Sequence, residues 1–404
     1  MIVKNVTLLG HKDHGKSTLI GQMLIQTKTV TQDRINEAKK ISENLGRPFE
    51  PGFILDSFSE ERENAMTIDT TRAELTYKGL AFEFIDVPGH EELIKNMISG
   101  ASYAEFAVLL VSAAPEEGIR DQTKRHLFLA RMLGIKKLIV AVNKMDMIKY
   151  DQEAFNGITA DLSSFIRNIG FDEGNATFVP ISAYSGDNIL EKSANMQWYT
   201  GRTLLDALYD SAESAESNVN PSLRVLVQGK SFDSENGIMG KVLCGEVKVG
   251  TRVVALPESR NYTVKEIVSQ GEQVQSAHAG DNVDLEFDGK VDEEVRGSVV
   301  ADETGAPSPS DEIIGKLFVT KRFNGNTLIK ANGNEMRCKI NIEQVIDPTT
   351  GNAIKDSKPE ELQAAIANIK LEKKAVFEKS EKVPELGRFL VYSDNEFAGI
   401  GIVE

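Results

Sequence analysis

Cysteine is nearly absent: Cys244 and Cys338 are the two in 404 residues. Two thiols build neither a disulfide framework nor a cysteine zinc site, and their sparsity suits a reducing compartment. Basic residues are outnumbered, 46 Lys and Arg against 61 Asp and Glu, for a net charge of −15. Affinity for nucleic acid comes largely from neutralising phosphates, so this balance argues against non-specific nucleic-acid binding, though not against a local basic face. No run of about 18 apolar residues occurs, so no transmembrane helix is expected. The first strand starts almost at Met1, which leaves no room for a signal peptide and makes a cytoplasmic protein the expectation. No fixed-period repeat stands out, and the length calls for two to four domains.

What is present is concentrated at residues 10–17, Gly10-His11-Lys12-Asp13-His14-Gly15-Lys16-Ser17, which spell G-x-x-x-x-G-K-S. An apolar run, Val6–Leu9, precedes the stretch, and a helical pattern from Thr18 follows it. Glycines let the backbone wrap phosphate oxygens, and a helix N-terminus adds partial positive charge. Lys16 is placed to reach the β- and γ-phosphates and the Ser17 hydroxyl to hold Mg²⁺. Gly10, Asp13, His14, Gly15 and Thr18 complete the expected phosphate cradle. A bare glycine turn explains the glycines but not every fixed position in a strand–loop–helix context.

Further along, Asp86-Val87-Pro88-Gly89-His90 ends a strand. Asp86 there is suited to reach Mg²⁺ through water, the Gly89 amide to bond the γ-phosphate, and His90 to stand by an attacking water. Alone, D-x-P-G is an ordinary turn; its place after a phosphate loop raises it. Asn143-Lys144-Met145-Asp146 closes another strand. The Asp146 carboxylate suits the N1 and N2 donors of guanine, which adenine lacks, so the ligand is expected to be GTP or GDP rather than ATP. Asn143 is expected at the base edge and the Lys144 stem along the base face, with Ser182 and Ala183 in the last base-contacting loop. Thr67 closes a charge-dense insert around Glu60–Asn64. From there its hydroxyl would ligate Mg²⁺ and sense the γ-phosphate.

Organisation follows from patterning. Up to about residue 212, apolar runs (Val3–Leu9, Leu80–Asp86, Phe106–Val111, Leu138–Val142, Thr177–Ile181) alternate with helical stretches (Glu91–Ile98, Asp121–Leu133, Asp151–Ile169). That alternation predicts an α/β domain, a mostly parallel sheet with helices on both faces. A polar helix is expected at Val30–Asn44 and irregular chain from there to residue 79. Ser211–Pro221 reads as a linker. Beyond it, short β-rich runs predict a small antiparallel barrel, then a boundary at Ala306–Ser310 and a second mostly β region. The expected domains are 1–212, 222–307 and 312–404, with one helix at Lys358–Ile366 capped by Ser357 and Glu360.

These motifs, in this order, resemble the translation-factor class of GTPases. Asn96–Ser102, Gly186-Asp187-Asn188, Trp198–Leu205, Pro384–Phe389 and Gly399–Val403 are similar to elongation factor 1-alpha. The resemblance implies a P-loop GTPase domain followed by two antiparallel β-barrels. It also implies aminoacyl-tRNA and the ribosome as partners, and since the sequence shows no obvious arginine finger, hydrolysis is expected to be slow until an activating protein or ribonucleoprotein aligns His90. It assigns Lys16 and Gly89 to phosphate, Ser17 and Thr67 to Mg²⁺, and His90 to the water. The chain departs from the family at Lys12, at Ala65 and in barrel segments without histidine, such as Phe323–Thr327. Pro48–Glu50, Leu55–Ser57 and Asp121–His126 also look like the GTPase subunit of ATP sulfurylase, whose partner would be the small subunit of that enzyme. A GTP-dependent binding module for another protein is the third reading.

Overall fold

The computed structural model describes residues 3–55, 71–86, 106–214, 222–231, 234–323, 326–355 and 358–404. The chain divides into two compact units, Met1–Glu216 with Pro348–Asn352, and Ser217–Asp347 with Ala353–Glu404.

The first unit is built on a six-stranded sheet. Its strands are β1 (Val3–Leu9), β2 (Thr71–Tyr77), β3 (Leu80–Asp86), β4 (Phe106–Ser112), β5 (Lys137–Asn143) and β6 (Ala176–Pro180), in the order β2-β3-β1-β4-β5-β6. Pairing is parallel except at the edge, where β2 runs antiparallel to β3. Every residue of β4 is buried, as a strand covered on both faces requires. The helices are α1 (Lys16–Gln26), α2 (Gln32–Asn44), α3 (Asp121–Met132), α4 (Gln152–Asn168) and α5 (Leu204–Ser214). Leu19, Ile20 and Met23 of α1 pack with Phe82, Phe84 and Phe106 in one core. An apolar side chain buried this fully contributes about 1.5–3 kcal/mol. Successive strands lie on either side of β1, so the chain reverses direction there, which puts a crevice at the carboxyl ends of the strands.

The second unit holds two antiparallel barrels. In the first, β7 (Arg224–Lys230), β8 (Gly237–Cys244), β10 (Arg252–Leu256), β11 (Arg260–Ser269), β14 (Asn282–Phe287) and β15 (Val299–Asp302) close through a β10–β11 pairing, while β9 (Glu246–Lys248) pairs with β13 (Ser276–His278) and β12 (Glu272–Val274) with β11. In the other, β16 (Ser310–Val319), β17 (Thr327–Ala331), β18 (Asn334–Ile346), β20 (Ala364–Ala375), β21 (Arg388–Ser393) and β22 (Glu396–Val403) close through β17–β18, and the short β19 (Ala353–Ile354) pairs with β18. Burial alternates along these strands, as in β14, because one side of each faces a core and the other solvent. Within this unit Arg224 meets Glu378 at 2.6 Å, with side chains 3% and 8% exposed, and also donates to the carbonyls of Leu223 and Gly305. Val376, Val383 and Leu386 pack beside them on Val254, Leu256 and Val299.

Three expectations need correcting. No helix forms at 358–366: Leu362 takes the left-handed backbone at φ +64, and β20 starts at Ala364. Its alanines are helix formers, but pairing with β16 on one side and β18 on the other satisfies the backbone of the whole run. The charge-dense insert does not run unbroken to residue 79, since β2 extends the sheet from Thr71. The start of the expected linker is helical, because α5 continues to Ser214. The expected helix at 91–98 lies outside the described residues. Among the described residues no helix is long and apolar enough to cross a membrane.

Candidate guanine-nucleotide site

The phosphate loop leaves β1 at Gly10, whose φ is +143 and where a Cβ would stand 2.7 Å from the Leu110 carbonyl oxygen of β4. Lys12–His14 form a single 3-10 turn, and Gly15 at φ +89 turns the chain into α1. A Cβ on Gly15 would meet the Asn143 side-chain nitrogen at 2.7 Å, so only glycine lets the loop reach the end of β5. Lys16 is 5% exposed, and its ammonium donates to the carbonyls of Gly10 (3.2 Å) and His11 (3.3 Å). The charge is thereby held along the loop that would wrap a phosphate.

His14 Nδ1 lies 3.0 Å from the Leu110 carbonyl oxygen, which makes Nδ1 the protonated nitrogen. Burial drives its pKa down to about 4, only partly opposed by that hydrogen bond, so the ring is neutral at physiological pH. Asp13 is exposed, with His11 Nδ1 3.8 Å away. Ser17 is exposed in the first turn of α1. Thr18 donates at 2.6 Å to Glu50.

The base end is wired together by side chains from two strand ends. Asn143 Nδ2 donates to the His14 carbonyl and its Oδ1 accepts from the Ala183 amide, both at 2.8 Å. Sequence reasoning placed Asn143 at the base edge and Ser182 and Ala183 in the last base-contacting loop. The structure adds that Asn143 is a buried strut joining the phosphate loop, β5 and the loop after β6 through the Ala183 amide. Asp146 Oδ1 accepts from the Ser182 hydroxyl at 2.6 Å, while Oδ2 has no hydrogen-bond partner among the described residues. The Met145 amide, bonded to the Ile181 carbonyl at 3.2 Å, fixes the loop that carries Asp146. A carboxylate with one oxygen pinned is oriented to accept a pair of donors from a planar base.

Lys144 has left-handed backbone at φ +63, and its ammonium lies 2.7 Å from both carboxylate oxygens of Glu117. Glu117 and Glu50 were missed in the sequence. Each is one acid among 61 Asp and Glu, and nothing in the linear chain ties it to the motif it touches.

Lys16, Ser17, Asn143, Lys144, Asp146, Ser182 and Ala183 thus follow the ends of β1, β5 and β6 at the carboxyl end of the sheet. Asp86 ends β3, opposite Leu8 of β1, with its backbone on that same edge; its side chain lies outside the description. Thr67, Gly89 and His90 lie outside the described residues. Among the described residues no cluster of three or more His, Cys, Asp or Glu forms a metal site. Both cysteines are free and buried, and burial pushes the Cys244 thiol up to about 11. The basic pair Lys321–Arg322 is answered by Glu396 and Glu360, so it offers no unpaired basic face.

Comparison with known proteins follows the same lines. Residues 1–214 match the family described as "Elongation factor Tu GTP binding domain", and residues 323–404 match "GTP-eEF1A C-terminal domain-like". Elongation factor 1-alpha of Aeropyrum pernix is 35% identical, over 99% of this chain and 95% of its own length. Those of Methanoculleus marisnigri and Thermoplasma volcanium are each 36% identical over 96% of this chain and 93% and 94% of theirs. A solved structure of sup35 complexed with GDP covers 99% of this chain and 93% of that one. At 23% identity and a TM-score of 0.44, that likeness is too distant to carry an argument. The sulfurylase-type and generic binding-module readings gain no support from these matches. The chain belongs to the elongation factor 1-alpha family of translation GTPases, which bind GTP and GDP with Mg²⁺ and hydrolyse GTP.

Proposed function

We propose that this GTPase delivers aminoacyl-tRNA to the ribosome in the cytoplasm, binding it when GTP is in the site and releasing it after hydrolysis. The observation that carries this reading is the extent of the likeness to elongation factor 1-alpha, which spans 95–99% of the chain and is not confined to the nucleotide motifs. The domains this reading uses are 1–212 for the nucleotide and 222–307 and 312–404 for the barrels.

In the proposed reaction, water attacks the γ-phosphate in line. Lys16 offsets the charge that builds on the phosphoryl oxygens, and the Gly89 amide positions the group. Ser17 and Thr67, with Asp86 acting through a water, would hold Mg²⁺, which would supply further positive charge against the phosphates. His90 orients the attacking water. No arginine is placed at the described part of the site, so the isolated protein turns over slowly until its activator aligns His90.

The test is protection of the aminoacyl ester. With GTP or a non-hydrolysable analogue, the protein is expected to slow spontaneous deacylation of aminoacyl-tRNA, and with GDP it is not. Equal deacylation with either nucleotide would overturn the tRNA reading while leaving the GTPase intact.

A further inference from the structure

We propose that Glu117 is a positioning residue for the guanine end of the site. Its carboxylate grips the Lys144 ammonium with both oxygens and so fixes the Lys144 stem as the wall against which the base lies. The proposal rests on the reading that Asn143–Asp146 receive guanine, and it adds a residue outside every nucleotide motif.

The contact is built into the ends of two neighbouring strands. β4 and β5 pair in parallel up to Ser112 opposite Asn143, and the Ala113 amide then bonds the Asn143 carbonyl at 2.8 Å. Directly after this clamp the chain folds into a tight turn, with the amides of Glu117 and Gly118 both bonded to the Ala114 carbonyl at 3.0 and 3.2 Å. Lys144 is equally constrained from its own side by its left-handed backbone and the 3-10 turn Met145–Ile148. Both residues are therefore held at their backbones before their side chains meet.

An ordinary surface ion pair joins two mobile side chains and contributes little. Here the side chains are only 24% and 29% exposed. Partial burial alone would raise the Glu117 carboxyl. Hydrogen bonds from Lys144 and Ser112, with the Lys144 charge, bring it below the usual carboxylate range instead. The His14 ring feels both charges, with Glu117 raising its pKa and Lys144 lowering it, which sets the pair beside the phosphate loop.

The arrangement has a chemical consequence. A lysine side chain carries about 2 kcal/mol of rotamer entropy and a strongly hydrated point charge. Left unanchored next to a nucleotide, that charge is drawn to the nearest anion, the phosphates, and the stem leaves the base face. Anchored by Glu117, the ammonium is neutralised and the four methylenes stay extended beside the base. The site then draws its phosphate attraction from Lys16 and reserves Lys144 for the base. Because the base is common to GTP and GDP, loss of the anchor should weaken both equally.

Stopped-flow release of a fluorescent GDP and a fluorescent GTP analogue from wild type, Glu117→Gln and Glu117→Ala proteins tests this. GDP and ADP affinities of the wild type are measured alongside, as is thermal unfolding of each protein without nucleotide. The proposal predicts release about tenfold faster from Glu117→Ala, a smaller increase from Glu117→Gln, equal factors for GDP and GTP, and all three proteins still folded without nucleotide, with at most a small fall in unfolding midpoint. Wild-type release rates from both variants, or weakening confined to GTP, would overturn it while leaving the guanine site standing. A wild type that binds ADP as well as GDP would overturn the guanine reading and this proposal together.

Discussion

The sheet unit and the barrel unit use polar groups in opposite ways. In the first, side chains that hydrogen-bond across elements gather at the carboxyl ends of β1, β5 and β6, while the interior is mostly hydrocarbon with a few buried polar residues such as Thr123 and His126. In the second, the most deeply buried charges, Arg224 and Glu378, face each other and serve the packing of that unit alone. A polar group at a strand end keeps valence for a ligand, as Asp146 does with its second oxygen. One sealed among apolar neighbours must be satisfied from within, as Arg224 is by three separate acceptors. The difference separates residues that act from residues that hold, although both kinds are polar and partly or wholly buried.

The comparison can be broken first on the barrel side. Arg224→Met leaves the Glu378 carboxylate buried without its partner, and should cost the barrel unit about 3–5 kcal/mol in urea unfolding. Removing both charges in R224M/E378L should recover most of that loss. GTP affinity in the sheet unit is expected to stay unchanged throughout; a large fall would erase the distinction drawn here.

Lys16→Ala strikes the other side. It removes a charge-assisted contact of about 1.5–3 kcal/mol, so GTP binding by calorimetry should weaken by roughly 10- to 100-fold while barrel unfolding stays as it was. Gly21→Ala comes next. A Cβ at Gly21 would stand 2.0 Å from the Pro51 carbonyl oxygen, so α1 and the turn at 50–55 must separate. The expected loss is about 1–3 kcal/mol in the unfolding of the sheet unit.

The sheet unit also responds to pH. Burial lowers the pKa of His14 to about 4 and of His126 to about 3, against 6.5 when unfolded. Between those values the unfolded chain binds protons that the folded one refuses, so stability is complete above about pH 6.5 and falls as pH drops toward 4. Each ring contributes a slope of up to about 1.4 kcal/mol per pH unit. Unfolding midpoints of the sheet unit should therefore decline over that window, and His126→Gln should flatten the decline. His278, the one histidine of the barrel unit, is exposed.

Much of the first unit was legible because its chemistry is local. Gly10–Ser17 and Asn143–Asp146 are contiguous, each lies at the end of an apolar run, and each needs only its neighbours in sequence to be recognised. Most of what escaped was set at a distance. Glu117 meets Lys144 across 27 residues, and Glu50 meets Thr18 across 32. The segment at 358–366 carries helical composition and a capping pattern, but its partners for pairing lie in β16 and β18, so the local signal lost to a remote one. β2 was overlooked although its sequence carries the signal: Ala73, Leu75 and Tyr77 alternate with Arg72, Glu74 and Thr76, and the segment pairs in register with Leu80–Asp86. Asn143 was found as a candidate for the base edge, but its part as a strut was not, because the His14 carbonyl and the Ala183 amide that it bonds lie far away in sequence.

Calorimetry of nucleotide-free protein with GDP and with ADP, in Mg²⁺, tests the central claim most directly. An Asp146 carboxylate held by Ser182 for two guanine donors predicts a preference for GDP of at least about a thousandfold, and its collapse in Asp146→Asn. Equal affinity for the two nucleotides, or a preference that survives the loss of that carboxylate, would contradict it.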